Sequence, residues 1–130
     1  MCIRDSSLTE IDTNLLYTIL KNEFEDNTIQ KVDSNFYEKT SEFIGNLKKQ
    51  EYDGVEAKIK NVMVEMATEM ASLFLKIRLE KAGLDDSDKS SLLAEEKYIL
   101  DSQKEMEERK ETILSRILDG KSKLLESNEQ

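Results

Sequence analysis

The sequence predicts an all-α protein, a bundle of four main helices packed around one long central helix at about residues 54–82. Three observations carry this. The chain has no proline, only four glycines and no tryptophan, while 36% of it is charged. That composition suits helices and lacks the residues that strands, turns and barrels use. Apolar residues then recur at Val55, Ile59, Val62, Met63, Met66, Met70, Leu73, Phe74 and Ile77, a 3-4 spacing held over about eight turns. Finally, polar breaks separate the periodic stretches every 20–30 residues or so, as connections in a bundle do.

The central stretch sets the rest. Its main apolar residues fill an arc of roughly 120° on a helical wheel, and at ~1.5 Å per residue the helix is roughly 43 Å long. A second strip, Val64, Ala71, Leu75 and Ala82, lies beside it, while Lys58, Asn61, Glu65, Ser72 and Lys76 fill the remaining sector. A helix this apolar touches more than one neighbour. Asp53 is placed to cap its start, and Gly83 to end it in the left-handed conformation. The predicted core takes Ile59, Val62, Met66, Met70, Leu73, Phe74 and Ile77 from this helix. Met66→Asp is therefore expected to bury an unpaired carboxylate. Met63, Met66 and Met70 read as gap-fillers of that core, with an adaptable interface as the alternative.

In chain order, Met1–Ser6 (MCIRDS) equals the translation of one frame of a transposase mosaic-end adaptor and reads as a sequencing scar. Thr9 is placed to cap a first helix to about Asp26, with Leu8, Ile11, Leu15, Leu16, Ile19 and Leu20 inward. The NTIQKV connector follows, in which Ile29 and Val32 tuck against the bundle. Asp33 or Ser34 caps the second helix, to about Gln50. Its narrow stripe adds Phe36, Tyr37, Phe43 and Leu47 to the predicted core, beside Thr40 and Ile44. Gly45, on the opposite face, weakens this helix mildly.

A polar loop, LDDSDKSS, leads to a fourth helix from near Ser91 to about Asp119. Leu92, Ile99, Leu100, Met106, Ile113, Leu114, Ile117 and Leu118 share one side of it, but Glu107–Thr112 (EERKET) is wholly polar. The two ends of this helix therefore face different things. Met106, Ile113, Leu114, Ile117 and Leu118 form a candidate interface with a partner. Residues 121–130 read as a linker or a frayed tail. The heptad-like spacing invites a coiled coil, yet the wide stripes and short second helix favour a compact bundle.

Several function classes are disfavoured. There is no histidine, so no His-based triad, Glu-x-x-His di-iron site or imidazole zinc site is available. One cysteine, Cys2, forms no internal disulfide. The i,i+4 pair Glu65 and Glu69 reads as a solvated face rather than a metal site. No catalytic residue, cofactor or metal is assigned. A formal net charge of −9 opposes strong binding to nucleic acid or anionic membrane, and no apolar run approaches the ~20 residues of a membrane span. The aromatics of the second helix accordingly fill a core rather than stack on bases.

The order of features also resembles a known family. Leu15, Leu16 and Glu23 mark the first helix. Val32 and Asp33 precede Phe36 and Tyr37, and the central helix closes on Lys76-Ile77-Arg78-Leu79-Glu80-Lys81. An acidic loop then leads to Leu93-Ala94-Glu95-Glu96 and Tyr98. This pattern, over about residues 8–120, is similar to the helical domain of archaeal GINS subunits of the type that places that domain first. Ala94 departs from it, standing where the family often has a threonine cap. The family type continues into a small β-rich domain, so the chain is expected to be truncated before it. The resemblance implies a non-enzymatic, nucleoid-associated cytoplasmic replication factor. It would assemble with sister subunits as a tetramer and join the MCM helicase and a RecJ-like protein. The competing reading is a helical chaperone-like or generic protein-interaction domain.

Overall fold

In a computed structural model that describes residues 10–84 and 86–125, the protein is all-helical. Among the described residues there are four helices: α1 (Thr13–Glu25), α2 (Phe36–Lys49), α3 (Gly54–Ala82) and α4 (Ala94–Leu118). The chain divides into two compact units, one running to Ala94 and the other starting at Glu95. Residues 1–9, including the adaptor-like segment, Leu8 and Thr9, lie outside the described residues.

In the first unit α1 and α2 both pack on α3. Ile11, Leu16, Phe36, Ala67, Phe74 and Leu93 are buried together, with Leu15, Ile19, Leu20, Val32, Tyr37, Phe43, Ile44 and Met70 packed around them. Phe36 lies 4.7 Å from Phe74 between ring centroids, and Tyr37 packs edge-on against both. These offsets let ring edges meet ring faces. Ile29 of the connector is buried and Val32 packs on the core, as the sequence indicates. Thr40 is buried as well, its hydroxyl donating to the Phe36 carbonyl at 2.8 Å.

The helix ends differ from expectation in instructive ways. α1 begins four residues after Thr9, because Asp12 supplies the cap: its Oδ1 accepts from the Leu15 N–H at 2.8 Å. Asn35, not Asp33 or Ser34, occupies the N-cap position of α2. Asp33 instead accepts the Phe36 N–H on its carbonyl and holds Lys39 on its carboxylate. Asp53 stands at the N-cap of α3 but makes no side-chain cap bond. Gly83 is right-handed, with φ −76°. Its N–H donates to the carbonyls of Leu79 and Glu80, and Leu84 donates to Lys81, so α3 closes by tightening its last turn. α4 starts at Ala94 rather than near Ser91, and Leu92 and Leu93 before it are buried. At its other end Gly120 is left-handed, φ +75°. There the N–H groups of Gly120 and Lys121 return to the carbonyls of Ile117 and Arg116, the pattern of a Schellman stop.

The largest correction concerns the core face of α3. Phe36 and Phe74 are buried, Met70, Tyr37 and Phe43 pack on the core, and Ile77 and Leu47 are half-buried. Ile59, Val62, Met66 and Leu73, however, are exposed. The buried residues of α3 are Ala67, Phe74, Arg78 and Ala82, a row lying roughly 100° around the helix from the centre of the apolar arc. Two alanines let neighbouring backbones approach closely, and Arg78 needs buried acceptors. Half-buried Met63, Val64, Met70 and Leu75 flank that row, so the inward face is apolar too.

Three outcomes follow for thermal unfolding monitored by circular dichroism. Met66→Asp should melt cooperatively within a few degrees of wild type, whereas Phe74→Ala should cost about 3–5 kcal/mol. Gly45→Ala should raise stability by up to about 1 kcal/mol, because a Cβ there meets nothing within 4 Å.

Candidate protein–protein interface

A buried ionic cluster positions the surfaces of the first unit. Glu23 stands on the inward side of α1, one turn beyond Ile19 and Leu20, and is fully buried. Arg78, one turn beyond Phe74 on α3, is fully buried too. Its Nη1 donates to Glu23 Oε1 at 2.9 Å and to the Gln30 carbonyl at 2.7 Å, and its Nη2 donates to the Ser91 carbonyl at 2.8 Å. The guanidinium carbon lies 5.0 Å from the centroid of the Phe74 ring. Lys81 reaches the other carboxylate oxygen, Oε2, at 2.7 Å and the Thr28 carbonyl at 2.8 Å. The Gln30 N–H points at the same carboxylate, 3.3 Å from Oε1.

One carboxylate thus ties α1, the connector after it, the end of α3 and, through Arg78, the loop before α4. The connector is shaped for this. Asp26 Oδ1 accepts the N–H and hydroxyl of Thr28 at 2.9 and 2.8 Å, an Asx-turn that presents the Thr28 carbonyl to Lys81. Those two bonds hold the Asp26 carboxyl below its usual range. A carboxyl lowered in the folded state stabilises above its unfolded pKa. This turn therefore loosens as pH falls through the folded value, and not on the alkaline side.

With α3 held in that rotation, one edge of its apolar arc faces outward, while Phe74 is buried and Met63, Met70 and Ile77 are half-buried. Val55 is 71% exposed, and Ile59, Val62, Met66 and Leu73 are each about half exposed. They occupy a strip only about 60° wide on the helix. Glu65 and Glu69 beside it are exposed, in keeping with a solvated face. Next to the strip, where α2 ends, Leu47, Tyr52, Ile59 and Met63 line an open crevice.

The candidate interface on α4 is likewise apolar and accessible. Met106, Leu114, Ile117 and Leu118 are exposed, Leu118 at 76%, and Ile113 is half-buried. Residues 101–111 are exposed throughout, matching the polar stretch in the sequence. Tyr98 on α4 and Phe24 on α1 are also strongly exposed.

Apolar periodicity alone assigns the α3 strip to the core, and only the burial pattern reveals it as surface. Periodicity does not announce the ionic cluster either, although Glu23, Arg78 and Lys81 belong to the motif residues noted above. Its signal is phase: Glu23 continues the row Leu16, Ile19 and Leu20, and Arg78 continues Ala67, Ala71 and Phe74. A charge at a core phase needs a buried partner.

Among the described residues no three His, Cys, Asp or Glu side chains are grouped to hold a metal ion, and no helix is long and apolar enough to cross a membrane. No protein-family model matches the chain, and no curated protein or solved structure matches it significantly.

Removing one member of the cluster strands the others. Arg78→Ala should destabilise the first unit by about 3–5 kcal/mol in chemical denaturation. A loss below about 1 kcal/mol would mean that Glu23 is not held as described.

Proposed function

We propose that the chain is a non-catalytic assembly subunit of the replication machinery, a GINS-like helical subunit. It associates with sister subunits and joins the MCM helicase and a RecJ-like protein at the nucleoid. The observation that carries the assembly half is the pair of outward apolar faces, one on α3 and one on α4. Contiguous exposed apolar residues of this kind mark interaction surfaces. The replication half rests on the ordered motifs from Leu15 to Tyr98. The net charge of −9 fits a protein-binding role, since phosphate-driven binding draws on Lys and Arg that release counterions.

A helical chaperone-like or generic interaction domain is the second reading. Exposed Met66 and Met106 favour it, because methionine adapts to varied partners.

Affinity capture of the tagged chain from its source organism separates the two. Stoichiometric recovery of MCM and a RecJ-like protein supports the replication role, and unfolded clients in their place support the second reading. Ile117→Glu should weaken the captured assembly at least about tenfold while leaving helix content unchanged by circular dichroism. Salt-sensitive DNA binding near micromolar would contradict the absence of a nucleic-acid surface.

A further inference from the structure

The exposed strip of α3 has a register. Ile59 and Met66 repeat at seven residues, as do Val55 and Val62, and the two sets interleave as the a and d positions of a heptad. The residues that flank the strip at the g position are Lys58 and Glu65. All six are exposed.

We propose that this strip pairs with the same strip of a second copy of the chain, antiparallel and about a two-fold axis. The proposal rests on the assembly reading above and names its face and partner. In antiparallel coiled coils a packs against d, and g flanks g. Setting Ile59 opposite Val62 of the second copy places Val55 opposite Met66. Two-fold symmetry repeats both contacts, giving four wholly apolar layers. The same alignment sets Lys58 opposite Glu65 of the second copy, twice, so both flanking pairs are of opposite sign.

The alternatives fail on charge. Sliding one heptad in one direction brings Glu65 opposite Glu65 and puts Glu69 in the seam against Ile59. Sliding in the other direction brings Lys58 opposite Lys58. A parallel, in-register pair stacks Glu69 on Glu69 between Met66 and Leu73. One alignment alone combines an apolar seam with complementary flanks, and a self-complementary patch is what a two-fold dimer requires. Two heptads make a small interface, so the dimer is a reversible one at the low end of the specific size range.

Sedimentation equilibrium over a wide concentration range should show a reversible monomer–dimer equilibrium. Val62→Glu should abolish it. Lys58→Glu creates two like-charge pairs and should weaken dimerisation about tenfold or more, and adding Glu65→Lys should restore it. Orientation is read by cross-linking in a Cys2→Ser background. Mixed Ile59→Cys and Val62→Cys copies should form a disulfide with each other, and Val62→Cys alone should not. A chain that stays monomeric at high concentration overturns the proposal, even if it still binds a sister subunit, MCM or the RecJ-like protein. So does a Val62→Cys self-disulfide or a charge swap that fails to restore the dimer. A dimer that forms as described but captures no replication protein leaves the pairing standing and removes the replication role.

Discussion

A carboxylate with no access to water must be held by cations and hydrogen-bond donors. In the first unit that carboxylate is Glu23, and Arg78 and Lys81 hold it. The bonds run from α1 to the far end of α3, 55 residues apart in sequence at the shorter of the two links, and they gather the carbonyls of Thr28, Gln30 and Ser91 on the way. Such a cluster adds little to stability beyond what well-packed apolar residues would supply. Its physical effect is directional: only one rotation of α3 puts Arg78 against Glu23. The aromatic contacts of Phe36, Tyr37 and Phe74 agree with that rotation, since Phe74 lies one turn before Arg78 on the same row.

The consequence is a helix with apolar residues on two sides, only one of which is covered. α3 buries two alanines, a phenylalanine and an arginine and turns a valine, isoleucine and methionine strip to solvent. An exposed apolar strip leaves free energy to be gained by association, less than its area alone would give because docking and ordering cost free energy. The ionic cluster thus accounts for the exposed strip on which the proposed pairing rests.

The fold class is legible because it depends on composition and period, which the sequence displays directly. Helix existence follows, and α3 matches the predicted span at both ends. Caps are less legible. Thr9 reads as the cap of α1 from the sequence, but Asp12 takes that place, next to the buried Ile11. A helical wheel misplaces the buried face of α3 because it ranks apolarity and has no means of pairing Glu23 with Arg78 across the chain. The α4 residues read as exposed because the polar stretch from Glu107 to Thr112 interrupts their stripe, a local signal that needs no tertiary knowledge.

The rotation of α3 can be read directly by thiol labelling in a Cys2→Ser background, at dilution where the chain is monomeric. Met66→Cys and Ala67→Cys are made one at a time, at neighbouring positions on the helix that face opposite environments. The thiol of Met66→Cys should label at nearly the rate of a free thiol, and that of Ala67→Cys should be strongly protected until the protein unfolds. Protection in Met66→Cys with ready labelling in Ala67→Cys would show that α3 buries its apolar strip after all, and that the Glu23–Arg78 cluster does not set the fold.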